Sequence, residues 1–371
     1  MIKKSICITT FAISNSGLIP LSQYIEVLYP LSKELYLITG NAGCDFFKKD
    51  ARFHTYGIYH QSKENIIANI CNYVLAQLKL SYLLFKLRHD VDLFIFFIGG
   101  EGLILPMITI KLLKKSVILS LAGYTIRFGK SEPSKILDYL SNINLLFADH
   151  IIVYSKTLIK DWNLEKYQNK IIVAPRHFLD LNKFQSTIIY RERDNLIGYI
   201  GRLSEEKGII NFVESIPLLL SKKSDLDFVI VGDGDLRSKV EAFLLENNLL
   251  NRVKLTGWIQ HEELPTYLNS LKLVVLPSYT EGLPNLMLES MACGTPVLVN
   301  PVGSIPDIVK DGETGFLMEN NTPKCIGENV LRALEFPNME QVLQNARELV
   351  EANFTYESAI ERYSFILENI N

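Results

Sequence analysis

Residues 273–294 read LVVLPSYTEGLPNLMLESMACG, an apolar run followed by a turn and then by a helical pattern. The apolar run predicts a buried strand, and Pro284 predicts the start of a helix, where proline is tolerated. In open α/β sheets, ligands bind at the carboxyl ends of the strands. The first amides of a helix have no intrahelical partner, so those near Leu283 and Asn285 can donate to phosphate or sugar oxygens. We therefore expect a ligand site in this turn.

Two glutamates accompany the predicted helix start: Glu281 in the turn, and Glu289 eight residues later. Helical spacing puts Glu289 one turn after Asn285 and one turn before Cys293. A carboxylate can accept hydrogen bonds from two adjacent hydroxyls, such as those of a ribose. The alternative for Glu289 is an ordinary glutamate on a solvated helix face.

Short β-branched runs alternate with helical patterns through the second half of the chain. This alternation is typical of parallel βαβ units in a doubly wound sheet. The predicted strands are residues 195–200, 226–231, 252–256, 274–276 and 297–299, and the predicted helices are residues 208–220, 236–247, 262–269 and 284–293. Together they predict one complete Rossmann-like domain.

The first half repeats the same rhythm less clearly, and 371 residues favour two domains. Its predicted strands lie near residues 5–10, 35–39, 93–98, 117–121 and 151–154, with a long helical pattern at 64–88. The polar residues 185–194 predict a linker. We expect an N-terminal domain at 1–185, a C-terminal domain at 186–354, and a last helix at 355–371 that packs back on the N-terminal domain.

The loop predicted after residues 195–200 supplies two cations, Arg202 and Lys207. A leaving diphosphate gains negative charge as a glycosidic bond breaks, and fixed cations stabilise that charge. Arg202 offers a planar fork of donors and Lys207 a point charge. Taken alone, both residues would also fit an ordinary basic loop.

These segments together resemble the family 4 retaining glycosyltransferases. The resemblance is strong from about residue 196 to residue 317 and rests on the E-x7-E pair Glu281 and Glu289. The motifs around this pair are Gly257-Trp258, Pro277-Ser278, Gly282-Leu283-Pro284-Asn285, residues 290–297 and residues 312–316. The resemblance implies an α/β fold of the GT-B type, in which two Rossmann-like doubly wound parallel-sheet domains face a central cleft.

The resemblance also implies roles for individual residues. Glu281 would position the donor sugar, Glu289 would hold the nucleotide ribose, and Arg202 and Lys207 would bind the diphosphate. Glu281, Arg202 and Lys207 are thus the expected catalytic residues. The other expected donor-binding residues are Gly17, Gly282, Leu283, Pro284 and Asn285. No metal and no resident cofactor is implied, because the nucleotide sugar is a co-substrate.

The first half departs from the family pattern in three places. Residues 14–17 offer only Gly17 where many members have a Gly-Gly loop. Ala122 stands where many members have a histidine near the donor sugar, and residues 175–180 replace the usual Asn-Gly-Val-Asp. These departures affect the expected sugar contacts, not the expected reaction class.

The expected reaction transfers a hexose from a UDP- or GDP-sugar to a hydroxyl of a glycan or lipid-linked acceptor, with retention, in cell-surface polysaccharide or glycolipid synthesis. Glu281 and Glu289 are not expected to act as the acid and nucleophile of a glycoside hydrolase, because a carboxylate that holds ribose cannot also attack the anomeric carbon. Two alternatives stay open: a GT-B epimerase or hydrolase acting on the nucleotide sugar, and a non-catalytic protein that binds it.

Charge divides unevenly along the chain. Residues 1–185 carry 22 Lys and Arg against 14 Asp and Glu, whereas residues 186–371 carry 16 against 27. The basic residues 111–115 and the amphipathic stretch 66–88 favour peripheral contact with an anionic membrane, or equally a buried helix with a lysine rim. No nucleic-acid partner is expected.

Two further patterns bear on cofactors and location. Asp233 and Asp235 fit a D-x-D metal site or a dinucleotide fingerprint, but a turn with an aspartate cap explains them, so we expect no metal. The five cysteines include no C-x-x-C pair, and the first residues do not predict a secretory signal. We therefore expect a cytoplasmic protein, at the membrane face if it contacts lipid.

Overall fold

The computed structural model describes residues 3–61, 65–121 and 141–370. It divides the chain into two compact units, which we call unit 1 (Met1–His177 with Ala359–Asn371) and unit 2 (Phe178–Ser358). The chain therefore leaves unit 1 after residue 177 and returns to it within its last helix.

Unit 1 is an α/β unit with a parallel sheet. Its strands are β1 (Ile6–Ile13), β2 (Leu35–Asn41), β3 (His54–Ile58), β4 (Leu93–Phe96), β5 (Ser116–Ser120), β6 (His150–Val153) and β7 (Ile171–Val173). Its helices include α1 (Leu18–Leu28), α2 (Ala42–Phe47), α3 (Ile66–Lys86), α4 (Ile104–Leu112) and α5 (Lys156–Asp161). The seven strands lie in the order β3-β2-β1-β4-β5-β6-β7.

The central strands of unit 1 are buried on both faces. Ile6, Ile8, Phe94 and Phe96 are all fully buried, which is why β1 and β4 read as nearly continuous apolar runs. β1 pairs in parallel with both β2 and β4. Strand order therefore reverses between β1 and β4, and the chain crosses to the β4 side after β3.

Unit 2 repeats this plan with a smaller sheet. Its strands are β8 (Leu196–Ile200), β9 (Asp227–Val231), β10 (Val253–Gly257), β11 (Leu273–Leu276), β12 (Val297–Val299) and β13 (Phe316–Leu317). Its helices are α6 (Ile209–Lys222), α7 (Arg237–Glu246), α8 (Leu264–Ser270), α9 (Asn285–Ala292), α10 (Ile305–Ile308), α11 (Pro323–Leu334) and α12 (Met339–Asn353). The last helix, α13 (Tyr356–Asn369), begins in unit 2 and ends in unit 1.

The sheet of unit 2 has the strand order β10-β9-β8-β11-β12-β13. β8 pairs in parallel with β9 on one side and β11 on the other. Strand order therefore reverses between β8 and β11, which is the position where doubly wound sheets bind ligands. The hydrophobic core of unit 2 contains Phe212, Phe228 and Phe316, all at most 1% exposed.

The prediction of two doubly wound parallel α/β sheets is confirmed. Three short strands, β3, β7 and β13, were not predicted. β3 lies at the edge of its sheet and includes polar residues and a glycine, and β13 has only two residues. Neither gives a buried apolar run that sequence inspection can detect.

Residues 185–194, which we expected to link the domains, lie inside unit 2. Arg193 is buried there and donates to the carbonyl oxygens of Leu271 at 3.0 Å and Cys293 at 2.9 Å and to Oγ1 of Thr295 at 2.7 Å. Its charge makes the segment look solvated, but the guanidinium holds loops of unit 2 together.

Helix α3 begins at Ile66, inside the predicted range 64–88. The side chain of Asn65 accepts from the amides of Ile67 and Ala68 and so caps the helix. Among the described residues, no helix combines the length and the apolar character needed to span a lipid bilayer.

Candidate active site

The loops that follow β8 and β11 are locked together at the point where strand order reverses. The amide of Tyr279 donates to the carbonyl oxygen of Glu206 at 2.9 Å. Gly208 has a φ of +69°, and a Cβ there would lie 2.1 Å from the carbonyl oxygen of Pro277. Only glycine therefore allows the two loops to approach this closely.

This close approach brings Lys207 to Glu281. The Lys207 Nζ donates to Oε1 of Glu281 at 2.6 Å, and the two side chains are 29% and 10% exposed. The pair is partly sheltered from water, so its charges interact more strongly than those of a surface pair. Two of the three expected catalytic residues are thus in direct contact.

The Glu281 loop is also supported from behind by the loop after β12. The amide of Ser304 donates to the carbonyl oxygen of Gly282 at 2.8 Å. Gly303 has a φ of +61°, and a Cβ there would lie 2.0 Å from the carbonyl oxygen of Glu281. The backbone of the Glu281 turn is therefore fixed on two sides.

Arg202, the third expected catalytic residue, pairs with Glu206 rather than with Glu281. Its NH1 lies 3.5 Å from Oε1 of Glu206, and its side chain is half exposed. Glu206 also accepts from the Ser204 hydroxyl at 2.7 Å. Burial acts to raise the pKa of Glu206, but hydrogen bonds from the Ser204 hydroxyl and from its own backbone amide, with the charges of Arg202 and Lys207, bring it below its usual value.

Glu289 is a buried residue of α9, not a glutamate on a solvated helix face. Its side chain is 7% exposed, and its Oε1 lies 2.9 Å from Nε2 of His261. A buried carboxylate requires a hydrogen-bonding partner. His261, in the loop after β10, supplies it.

His261 is in turn held by Lys183. The Lys183 Nζ lies 3.0 Å from Nδ1 of His261. An ammonium group only donates, so Nδ1 accepts and Nε2 carries the proton that is donated to Glu289. Sequence inspection missed both residues, because His261 and Lys183 lie far from Glu289 in sequence and carry no motif of their own.

Comparisons with known proteins agree with this fold. Residues 182–349 match the family model described as glycosyl transferases group 1. A crystal structure of HepE from Anabaena in complex with UDP superposes with a TM-score of 0.79 at 15% identity, covering 98% of this chain and 100% of HepE. The fold is of the GT-B type.

Relatives of this GT-B chain are similar over only part of their length. An uncharacterized glycosyltransferase of Methanocaldococcus jannaschii is 30% identical over 226 residues, 60% of each chain. The capsular polysaccharide biosynthesis glycosyltransferase CapM of Staphylococcus aureus is 28% identical over 257 residues, 62% of this chain and 66% of CapM. The aligned regions thus span less than two thirds of these two relatives.

The start of α9 differs by one residue from the prediction. Pro284 is the N-cap of α9 and Asn285 its first residue, whereas we expected Pro284 to open the helix. Pro284 gives no side-chain cap to the first turn. Oδ1 of Asn285 and the hydroxyl of Ser304 are buried and have no hydrogen-bond partner among the described residues. Such unpartnered buried polar atoms are uncommon in folded proteins.

The remaining predicted residues have simpler environments. Leu283 is 7% exposed and Gly282 is fixed by Ser304. Gly17, in unit 1, ends a 3-10 helix between β1 and α1, where a Cβ would lie 3.1 Å from Cβ of Ile13. Ala122 lies outside the described residues.

The aspartate turn after β9 differs from the expected cap. Asp233 accepts from the amide of Gly234 at 2.8 Å and pairs with Arg237 at 3.1 Å. The N-cap of α7 is Leu236, which makes no side-chain cap. The prediction of an aspartate cap was therefore wrong, because the Asp233 carboxylate faces its own turn and Arg237. No cluster of three or more potential metal ligands occurs in the described part of the chain.

Proposed function

We propose that this chain is a retaining glycosyltransferase of family 4 that transfers a hexose from a UDP- or GDP-sugar to a hydroxyl of a glycan or lipid-linked acceptor. The observation that carries the proposal is the Lys207–Glu281 pair, fixed at the point where strand order reverses in unit 2. The match to group 1 glycosyl transferases over residues 182–349 supports it. The similarity to CapM supports a role in polysaccharide synthesis.

In this proposal Lys207 acts on both the donor phosphate and Glu281. An ammonium group has three donors, so Lys207 can keep its bond to Oε1 of Glu281 and donate to the leaving diphosphate. Oε2 of Glu281 then accepts from a hydroxyl of the donor sugar. The half-exposed Arg202 turns to the diphosphate, and its charge and that of Lys207 stabilise the transition state without a required metal ion.

Glu289 holds the ribose of the donor. Its Oε1 accepts from His261, which leaves Oε2 for the adjacent ribose hydroxyls. Glu281 and Glu289 are thus held by separate basic partners, Lys207 and His261. This arrangement favours donor binding over the paired carboxylates of a glycoside hydrolase.

The proposed reaction proceeds on one face of the sugar. The bond between the anomeric carbon and the diphosphate oxygen breaks, and a bond to the acceptor oxygen forms on the same face, which retains the configuration. The acceptor proton passes to the departing diphosphate oxygen. No resident cofactor takes part, and the protein contributes position and charge.

We also propose that the enzyme acts in the cytoplasm at the inner face of a membrane, where lipid-linked acceptors are displayed. The basic segment after α4 supports contact with anionic lipid, because Lys114 and Leu112 are both exposed. Contact with the membrane is separate from nucleotide-sugar binding and can be tested in the absence of a nucleotide sugar.

A thermal-shift screen with UDP-, GDP- and ADP-sugars tests the function. A bound donor at a hundred times its Kd stabilises the folded state by about 2.7 kcal/mol. The proposal then requires sugar transfer to an added acceptor, with the product keeping the donor's anomeric configuration by NMR. Hydrolysis of the nucleotide sugar that no acceptor accelerates would favour a hydrolase. Epimerisation of the nucleotide sugar would favour an epimerase, and binding without turnover would favour a non-catalytic binding protein.

A further inference from the structure

Helix α3 carries apolar residues on two opposite faces. Its inner face includes the fully buried Leu80 and Leu84. Its outer face exposes seven large apolar side chains, each between 41% and 73% exposed. These residues, which we call the outer stripe, are Ile67, Ile70, Val74, Leu75, Leu78, Tyr82 and Phe85. An amphipathic helix of a soluble unit would carry polar residues there.

The outer stripe is continuous along the helix. At 100° per residue its seven members fall within an arc of about 140°, and they extend over about 27 Å of helix. Exposed apolar residues that occur singly are normal, but a contiguous patch of this kind marks an interaction surface.

The charged residues within α3 are all positive. α3 contains Lys79 and Lys86, both exposed, and no aspartate or glutamate. In helical projection both lysines fall beside Tyr82, on one edge of the stripe. α4, which packs against α3, exposes Leu112 and ends before the exposed Lys114.

We propose that the outer stripe docks on an anionic lipid surface, with α3 lying in the plane of the interface. Apolar side chains would enter the boundary between headgroups and acyl chains, and Lys79 and Lys86 would contact lipid phosphates. A second copy of the chain fits less well, because α3 contains no acidic residue that could pair with Lys79 or Lys86 of an identical stripe. This proposal rests on one part of the proposed function, the contact with a membrane, and names the surface that makes this contact.

Flotation of the full chain with vesicles tests the proposal. We expect the chain to float with phosphatidylcholine vesicles that contain phosphatidylglycerol, and to float less at high salt, which screens the lysine charges. Leu75→Asn with Leu78→Asn should lower the bound fraction about tenfold or more. The control is Leu245→Asn with Leu250→Asn in unit 2, where two leucines of similar exposure lie outside the stripe.

The lysines are tested in the same way. Lys79→Gln with Lys86→Gln should weaken binding at low salt and reduce its salt dependence. Lys239→Gln with Lys324→Gln removes two exposed lysines of unit 2 and should leave binding unchanged. All four variants replace exposed side chains, and unchanged thermal unfolding verifies that each is folded.

Cys71 offers an independent measurement from within the stripe. It is exposed, whereas Cys7, Cys44, Cys293 and Cys325 are buried. Burial raises the pKa of the Cys7 and Cys293 thiols to about 12, so they should not react at neutral pH. An environment-sensitive dye on Cys71 should shift to the blue when anionic vesicles are added.

The outcomes separate this inference from the donor site. No flotation at low salt, or flotation that the stripe variants do not alter, overturns the inference. A wild-type dimer in solution that the stripe variants convert to a monomer assigns the stripe to a second copy instead. Nucleotide-sugar binding by thermal shift in the same variants reports on the proposed function, which can stand or fail independently.

Discussion

The ammonium of Lys207 lies 2.6 Å from Oε1 of Glu281, and this ion pair joins the loops that follow β8 and β11. Neither loop could reach the other without Gly208, whose position leaves no room for a Cβ against Pro277. In the proposed function, this pair sets a cation for the leaving diphosphate and a carboxylate for the donor sugar before any nucleotide sugar binds. Such preorganisation lowers the cost of reaching the transition state.

Lys207→Met should lower kcat by about 100-fold to 1,000-fold, the usual cost of removing one preorganised group that stabilises transition-state charge. Steady-state transfer of sugar to acceptor measures it. Lys324→Met, at an exposed position on α11, is the matched control and should leave kcat unchanged. An equal fall in both variants would point to a general effect of lost charge.

The same pair predicts a coupling in stability. Lys207→Met leaves the sheltered Glu281 carboxylate without its cation, so the free energy of unfolding should fall. Glu281→Gln in the Lys207→Met background removes that charge and should restore part of the loss. Urea denaturation of the two single variants and the double variant gives the interaction energy. Additive effects would show that the pair is not coupled.

Replacing His261 should separate donor binding from turnover. His261→Ala removes the N–H group that hydrogen-bonds to Glu289 and orients it. KM for the nucleotide sugar should then rise about tenfold while kcat changes little, because one hydrogen bond to a charged group contributes about 1.5–3 kcal/mol. His261→Gln keeps an N–H group that can donate a hydrogen bond to Glu289, and it should recover part of the affinity for the nucleotide sugar. His89→Ala, at an exposed histidine of unit 1, is the matched control. A fall in kcat with unchanged KM would exclude this positioning role.

Gly208→Ala should destabilise unit 2 more than Gly257→Ala. Both glycines have positive φ, +69° and +74°, so alanine at either position costs about 1–2 kcal/mol of backbone strain. At Gly208 the added Cβ would also lie 2.1 Å from a backbone oxygen, whereas at Gly257 the nearest atom lies 3.4 Å away. Chemical denaturation should therefore show a larger loss for Gly208→Ala. Equal losses would mean that the two loops separate easily.

Arg193→Met should be strongly destabilising, whereas Arg191→Met should not. The Arg193 guanidinium is buried, and its loss leaves carbonyl oxygens of Leu271 and Cys293 without donors, at about 1–3 kcal/mol each. Arg191 is 77% exposed and pairs with Glu340 on the surface, a contact that contributes about 0–1 kcal/mol. Urea midpoints of the two variants measure the difference. Similar midpoints would contradict the role of Arg193 in holding unit 2 together.

The elements of the candidate site could be predicted from the sequence because they follow one another along the chain. An apolar strand, a turn with Glu281 and a helix with Glu289 occupy adjacent residues, and their periodicities differ clearly. The β8 loop with Arg202 and Lys207 is equally local. Strand order places both loops at the reversal point, and this order is a finding of the structure that the alternating pattern did not specify.

Contacts between distant residues could not be predicted in this way. Nothing in the sequence around His261 indicates that its ring meets Glu289, since the contact depends on how α9 packs near the loop after β10. Arg193 stands in a run of charges typical of a linker, yet hydrogen bonds to backbone carbonyls compensate its burial. Charge patterns describe the average exposure of a segment, and single buried charges depart from it.

The return of α13 to unit 1 has a consequence for biosynthesis. Its Tyr363 hydroxyl donates to the carbonyl oxygen of Ala174 at 3.1 Å, and its ring packs 5.5 Å from that of Tyr24. Unit 1 therefore cannot complete its core until residues beyond 358 leave the ribosome, although most of it is translated first. Unit 2, translated later, has all its residues sooner than unit 1 does. The part of the chain that emerges first is thus the last to finish folding, and a chain that stops at Ser358 should keep a protease-resistant unit 2 beside a digestible unit 1.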